Sequence, residues 1–148
     1  MIELITPQEI KAHLTFVKNL DEQVLQPYIN TSIDIQLTEL LGEDMEQALQ
    51  EGEYEDVLPY AKNFLMWNVL SEVVIPLTFK LRNAGIVNST GDHIQVVTMK
   101  DAEVLKNEYA HKAHSYQDTM LNYLKDNNYI SCQNKDTHNF NGVSIFLG

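Results

Sequence analysis

The chain offers little of what usually places a protein. Of its 148 residues one is cysteine, Cys132, which leaves no partner for an internal disulfide or a paired-cysteine zinc site and fits a reducing compartment. No apolar run approaches the roughly 20 residues that a membrane-spanning helix needs. Residues 1–6 lack the basic flank and long apolar stretch of a secretory signal. These absences lead to the expectation of a soluble, intracellular protein without a membrane partner. Catalytic signatures are missing as well: there is no Gly-x-Ser-x-Gly, no Gly-rich phosphate cradle, no Gly-x-Gly-x-x-Gly and no His-Glu-x-x-His. The expectation is a protein that is not an enzyme and takes no cofactor.

What is present is an ordinary globular composition, 44% apolar and 21% charged, at a length that suits one core. The charge is unevenly spread. Residues 1–56 hold 13 acids and 2 lysines, while residues 57–148 hold 8 acids and 8 bases, so the whole net charge of −11 sits in the first third. Its densest part is 43–56, where Glu43, Asp44, Glu46, Glu51, Glu53, Glu55 and Asp56 occur with no Lys or Arg. Such a surface repels phosphate, which disfavours sequence-reading of DNA or RNA. A calcium loop is not indicated, because the Asp-x-Asp-x-Asp-Gly pattern is absent; a solvated acidic helix and loop is the reading.

Along the chain, Thr6-Pro7-Gln8-Glu9 reads as a capping box with proline in the first helical turn, followed by Ile10 and Leu14 on one apolar face. Asn19 or Asp21 can cap a longer helix bearing Val24, Leu25, Tyr28, Ile29, Ile33, Leu37, Leu40 and Leu41, kinked early at Pro27 and stopped by Gly42. Residues 43–50 suit a short acidic helix ending at Gly52. A strongly apolar helix opens at Val57-Leu58-Pro59 and runs through Leu65, Met66, Trp67, Val69, Leu70 and Val73. Pro76 should end it. Beyond it Leu77, Phe79 and Leu81 alternate with Thr78, Lys80 and Arg82, and Ile94 and Val96 follow a turn-rich stretch, so 77–97 reads as an extended, hairpin-like insertion. A last helix to about Asn127 carries Leu105, Tyr109, Tyr116, Met120, Tyr123 and Leu124 on one stripe, and Leu65, Val69, Leu105, Tyr109, Tyr116 and Met120 are expected to share one core. The expected architecture is mainly α: a small helical bundle over 1–127 with that insertion, and an extended C-terminal tail over 128–148.

The side chains suggest few sites. His111, His114 and Asp118, with Glu108 nearby, can be drawn as a two-histidine, one-carboxylate site, but they lie opposite the apolar stripe on a wet helix face, so no metal is expected. His13 and His93 have no nucleophile close in sequence, and nothing near Cys132 would depress its pKa. Tyr60, Trp67, Tyr109, Tyr116 and Tyr123 fall at helical spacing, which favours packing over base stacking. The apolar end is less ordinary. Phe140, Val143, Ile145 and Phe146 stand behind a polar spacer, like a strand or anchor offered to another surface or folded back onto this chain's own core.

The short helix opened by Thr6-Pro7-x-Glu9-Ile10-Lys11, then Leu20-Asp21 leading into Leu25, Tyr28, Ile29, Ile33 and Leu41-Gly42, resembles the head-tail connector (adaptor) proteins of tailed double-stranded-DNA phages. The resemblance is carried by the first 42 residues and continues more loosely through 57–75 and the final helix. It implies a virion structural protein of the neck between capsid and tail, made in the host cytoplasm. Such a subunit assembles with itself into a ring, typically of twelve copies, between the portal protein and the downstream tail or neck protein. DNA would pass through the ring without sequence-specific binding, and Glu43, Asp44, Glu46, Glu51, Glu53, Glu55 and Asp56 suit the wall of such a channel. The chain departs from short family members in 77–97 and after Asn127, where a ring protein would reach its neighbours. The expected interface is therefore Phe79, Leu81, Ile94, Val96, Phe140, Val143, Ile145 and Phe146. A monomeric acidic helical module that captures a basic protein partner through 43–56 is the alternative, and a small enzyme using His111 and His114 is a third.

Overall fold

The computed structural model describes residues 2–14, 21–83 and 99–130, with the backbone alone for 80–83. The described residues are almost all helical and include no strand. Helix α1 (Pro7–Lys11) begins as its sequence dictates. The Thr6 backbone N–H donates to the Glu9 carboxylate at 2.9 Å, and the Glu9 N–H donates back to the Thr6 hydroxyl at 3.3 Å. The box satisfies two donors that a helix start otherwise leaves open. Ile10 and Leu14 then enter the core.

Asp21 accepts from the Gln23 N–H at 3.0 Å and starts a short 3₁₀ turn, Glu22–Val24. From there the chain is helical to Gly42 in three parts: α2 (Gln26–Thr31), a π-helical stretch (Ser32–Leu37) and α3 (Thr38–Leu41). Pro27 stands in the first turn of α2, where its missing N–H costs nothing. The wide π turn coincides with two side-chain bonds. The Thr38 hydroxyl donates to the Ile33 carbonyl five residues back, and buried Ser32 accepts from the Asn68 amide, both at 2.9 Å. Gly42, at φ +89°, ends the helix in a conformation that other residues rarely adopt. The acidic helix α4 (Glu43–Gln50) follows with Leu49 buried, and Gly52 at φ +94° closes it.

Two long helices complete the bundle. Helix α5 (Leu58–Asn83) has 26 residues and α6 (Met99–Asp126) has 28, lengths of about 39 and 42 Å at 1.5 Å per residue. They run antiparallel, since Tyr60 stacks on Tyr123, Trp67 meets Tyr109, and the Lys106 ammonium reaches the Ser71 carbonyl. The α6 chain turns off at Asn128, φ +61°, with the Tyr129 N–H returned to the Leu124 carbonyl at 2.8 Å, a left-handed C-terminal cap.

The mainly helical bundle is as expected, but two details differ. Pro76 does not end α5; residues 77–83 are helical, so the extended reading of 77–97 does not hold over its first seven residues, and 84–98 lie outside the described residues. An interior proline costs a helix about 3 kcal/mol. Val73, Val74, Leu77 and Thr78, spaced for one helical face, are all buried, which offsets that loss, while Pro76 itself faces solvent. The second difference concerns the core. Leu65, Val69 and Met120 are in it and Tyr109 and Tyr116 pack against it, but Leu105 is only half-buried. The fully covered line of α6 runs through Ala102, Ala113, Met120 and Leu124, with Leu105 on its flank.

Candidate functional site

The acidic segment forms one edge of the bundle: α4 and the turn that leads into α5. Glu43, Asp44, Glu51, Glu53, Glu55 and Asp56 are exposed on it. Ion pairs form elsewhere on the bundle: Lys62 with Glu9 at 2.8 Å, Lys11 with Glu22 at 4.0 Å, and His114 with Asp118 at 3.6 Å. Two acids of the segment have local duties. Glu46 is half-buried and accepts from the Thr38 hydroxyl at 3.3 Å and from the Gln50 amide, which ties α4 to α3. Asp56 accepts from the Tyr123 phenol at 2.6 Å and the Tyr129 phenol at 2.9 Å.

Asp56 thus joins the start of α5 to the end of α6. Tyr60 stacks on Tyr123 with centroids 4.4 Å apart, and Tyr54 meets Tyr129 edge-on at 5.1 Å. Tyr54 itself has φ +53°, an unusual conformation for a non-glycine residue. The two phenols hold the Asp56 carboxyl below the usual carboxylate range, Tyr123 contributing most. The carboxylate in turn pushes Tyr123 up to about 12 and raises Tyr129. Sequence reasoning assigned Asp56 to a free acidic surface and missed this clamp. The start of the expected tail is docked here too, as Tyr129 and Ile130 pack against the core.

A second surface cluster surrounds Trp67. His13 meets its ring edge-on at 5.5 Å, Tyr109 lies at 5.6 Å, and the Lys112 ammonium sits over the ring at 4.4 Å, a cation–π arrangement. Burial, with a smaller contribution from Glu108, raises the Tyr109 pKa. On α1, the Lys62 ammonium holds the Glu9 carboxyl below its usual range.

The expected interface is only partly in view. Phe79 lies on α5 and is 50% exposed, whereas Leu81 is on the last turn with its side chain undescribed. Ile94, Val96, Phe140, Val143, Ile145 and Phe146 lie outside the described residues, as does Cys132. His111 and His114 both face solvent on α6. Among the described residues, no group of three or more His, Cys, Asp or Glu side chains is arranged to hold a metal ion, and no helix is long and apolar enough to cross a membrane.

No curated protein and no solved structure matches the chain. Residues 17–139 match a family of unknown function, DUF6712, and the chain belongs to that family.

Proposed function

We propose that this protein is a head-tail connector subunit, a virion structural protein that forms a ring between a portal and the next tail component and leaves a channel for DNA. The observation that carries the reading is the acidic edge. Six exposed carboxylates stand along α4 and the following turn, in a segment without Lys or Arg. A surface of that kind lowers the residence of phosphate on a channel wall. The order of elements supports the same reading. A capped α1, an Asp21-led helix stopped at Gly42, an apolar α5 and a long α6 follow the pattern on which the resemblance to adaptor proteins rests. The partners in this reading are further copies of the chain, the portal protein and a downstream neck or tail protein.

The test is the size of the full-length chain by sedimentation, alone and with a portal protein from the same genome. A ring-sized complex with the portal is expected. A chain that stays monomeric with the portal, yet binds a basic protein with an affinity that collapses at high salt, overturns the proposal in favour of an acidic binding module.

A further inference from the structure

The helical run from Gln26 to Leu41 widens where its sequence requires it. Leu25, Ile29, Ile33, Leu37 and Leu41 follow one another at intervals of four, and at about 3.6 residues per turn each such step carries the next side chain about 40° around an α-helix. Four steps would carry Leu41 about 160° away from Leu25. Yet Leu25, Ile29, Leu37 and Leu41 are all buried, and Ile33 packs against the same core. The π-helical stretch Ser32–Leu37 takes up the drift, because its wider turn accommodates more residues. The Thr38 N–H and the Thr38 hydroxyl both donate to the Ile33 carbonyl, five residues back, and so close the wide turn.

On the outer side of that turn Asp34, Ile35 and Gln36 are exposed in a row, with Thr31 and Glu39 exposed four residues to either side of Ile35. Ile35 is 55% exposed. A single exposed isoleucine is ordinary; one carried on a π turn, a rare geometry that recurs at functional sites, is not. Its surroundings define what can cover it. Residues 21–56 hold eleven acids and no Lys, Arg or His, so Ile35 is an apolar point in a field of one sign, and a complementary surface carries cations. Another copy of this bundle has few to offer. Of the six lysines whose side chains are described, Lys11 is paired with Glu22, Lys62 with Glu9, Lys106 with the Ser71 carbonyl and Lys112 with the Trp67 ring.

We infer that Ile35, flanked by Asp34 and Glu39 on the π turn, is a docking knob for a different protein, one that presents an apolar pocket rimmed by Lys or Arg. The pocket buries the isoleucine, and the cations on its rim meet the two carboxylates. In the connector reading, on which this inference rests for its partner, that protein is the portal. The contact uses residues outside 43–56 and leaves the acidic edge to the channel.

Binding of the full-length chain to a portal protein from the same genome, measured at low and high salt, tests the inference. Ile35→Ser should unfold at the wild-type midpoint, because the site is exposed, and should bind the portal at least tenfold more weakly. Asp34→Lys with Glu39→Lys should weaken binding at least tenfold at low salt and flatten its salt dependence, whereas Glu51→Gln with Glu53→Gln should stay within twofold of the wild type. Deleting Gln36 should return the stretch to α-helix and weaken binding as Ile35→Ser does; a folded deletion variant that binds like the wild type overturns the role given to the wide turn. Wild-type binding by Ile35→Ser overturns the knob while leaving the connector reading intact. Loss of self-assembly in Ile35→Ser without a portal, with portal binding retained, overturns it in favour of a second copy. A wild-type chain that does not bind the portal overturns the connector reading and the knob with it.

Discussion

The two ends of the α5–α6 pair are built differently. At the base, where α5 starts and α6 ends, the pair is wrapped by α1, by the helix from Gln26 to Leu41 and by α4, and the core there is thick: Leu4, Ile5, Ile10, Leu25, Ile29, Leu37, Leu49, Val57, Leu65 and Leu124 are all buried. Among the described residues, the two helices at the far end pack mainly against each other. There α6 buries the small Ala102, leaves Leu105 half-covered and exposes Val104 at 56%, while α5 exposes Phe79 at 50%. The base stabilises itself with its own side chains. Among the described residues, Phe79 and Val104 are the exposed large apolar side chains of the far end.

The comparison breaks most readily within α6. Leu124 is fully buried at the base and Leu105 half-buried toward the far end. Leu124→Ala should cost about 2–5 kcal/mol, as expected for emptying a packed site. Leu105→Ala should cost less than half of that. Urea unfolding of both variants, followed by helical circular dichroism, measures the difference; equal losses would mean that the far end is as tightly packed as the base.

A second variant tests whether the base depends on its local caps. Thr6→Ala removes the hydroxyl that accepts from Glu9 and leaves the box half-made. The loss of an N-cap is worth about 1 kcal/mol. The unfolding midpoint should fall accordingly, and Thr6→Ser should keep it. A Thr6→Ala chain that is unchanged would mean that α1 is held by Ile10 and the Lys62–Glu9 ion pair alone.

How far the sequence displays this structure depends on distance along the chain. The Thr6 box, the Asp21 cap, the Gly42 stop and the bounds of α4 all rest on residues within a few positions of one another, and all are legible. The Asp56 clamp joins residues 67 and 73 positions apart, and nothing in the pattern around Asp56 distinguishes it from the six acids before it. The Ser32–Asn68 bond beside the π-helical stretch is hidden for the same reason, since it spans 36 positions. Pro76 misleads because a local rule is outweighed by burial of Val73, Val74, Leu77 and Thr78. The acidic edge was readable as composition, whereas the roles of Glu46 and Asp56 within it required the fold.

The clamp gives a pH signature at the base. Asp56 has its folded pKa below the ordinary 3.8, so its stabilisation is complete above that value and is lost as pH falls through the folded one. Tyr123 is raised from 10.0 to about 12, so its contribution is complete below 10 and is lost as pH rises toward 12. The stability gap between wild type and Asp56→Asn should therefore be flat near neutrality and close in acid. Tyrosinate absorbance should show one phenol ionising near 12 in the wild type and returning toward 10 in Asp56→Ala. An alkaline titration that is identical in the two proteins would remove the clamp.

The smallest expected effect sharpens the far end of the comparison. Val104 is 56% exposed on α6, whereas Val69 on α5 is fully buried. Exposed substitutions away from caps and cores usually stay within about 0.5 kcal/mol, and alanine is the better helix former because it has no branched side chain to restrict. Val104→Ala should leave the unfolding midpoint of the free chain unchanged or slightly raised, while Val69→Ala should lower it by removing packed methyl groups. The contrast should reverse in assembly. A far end that serves neighbouring copies would make Val104→Asp, which should still fold because the site is exposed, defective in joining a ring, because a carboxylate cannot be buried unpaired in an apolar contact. If Val104→Asp assembles with a portal as readily as the wild type, that part of α6 faces solvent in the ring and Phe79 on α5 is left as the apolar contact of the far end.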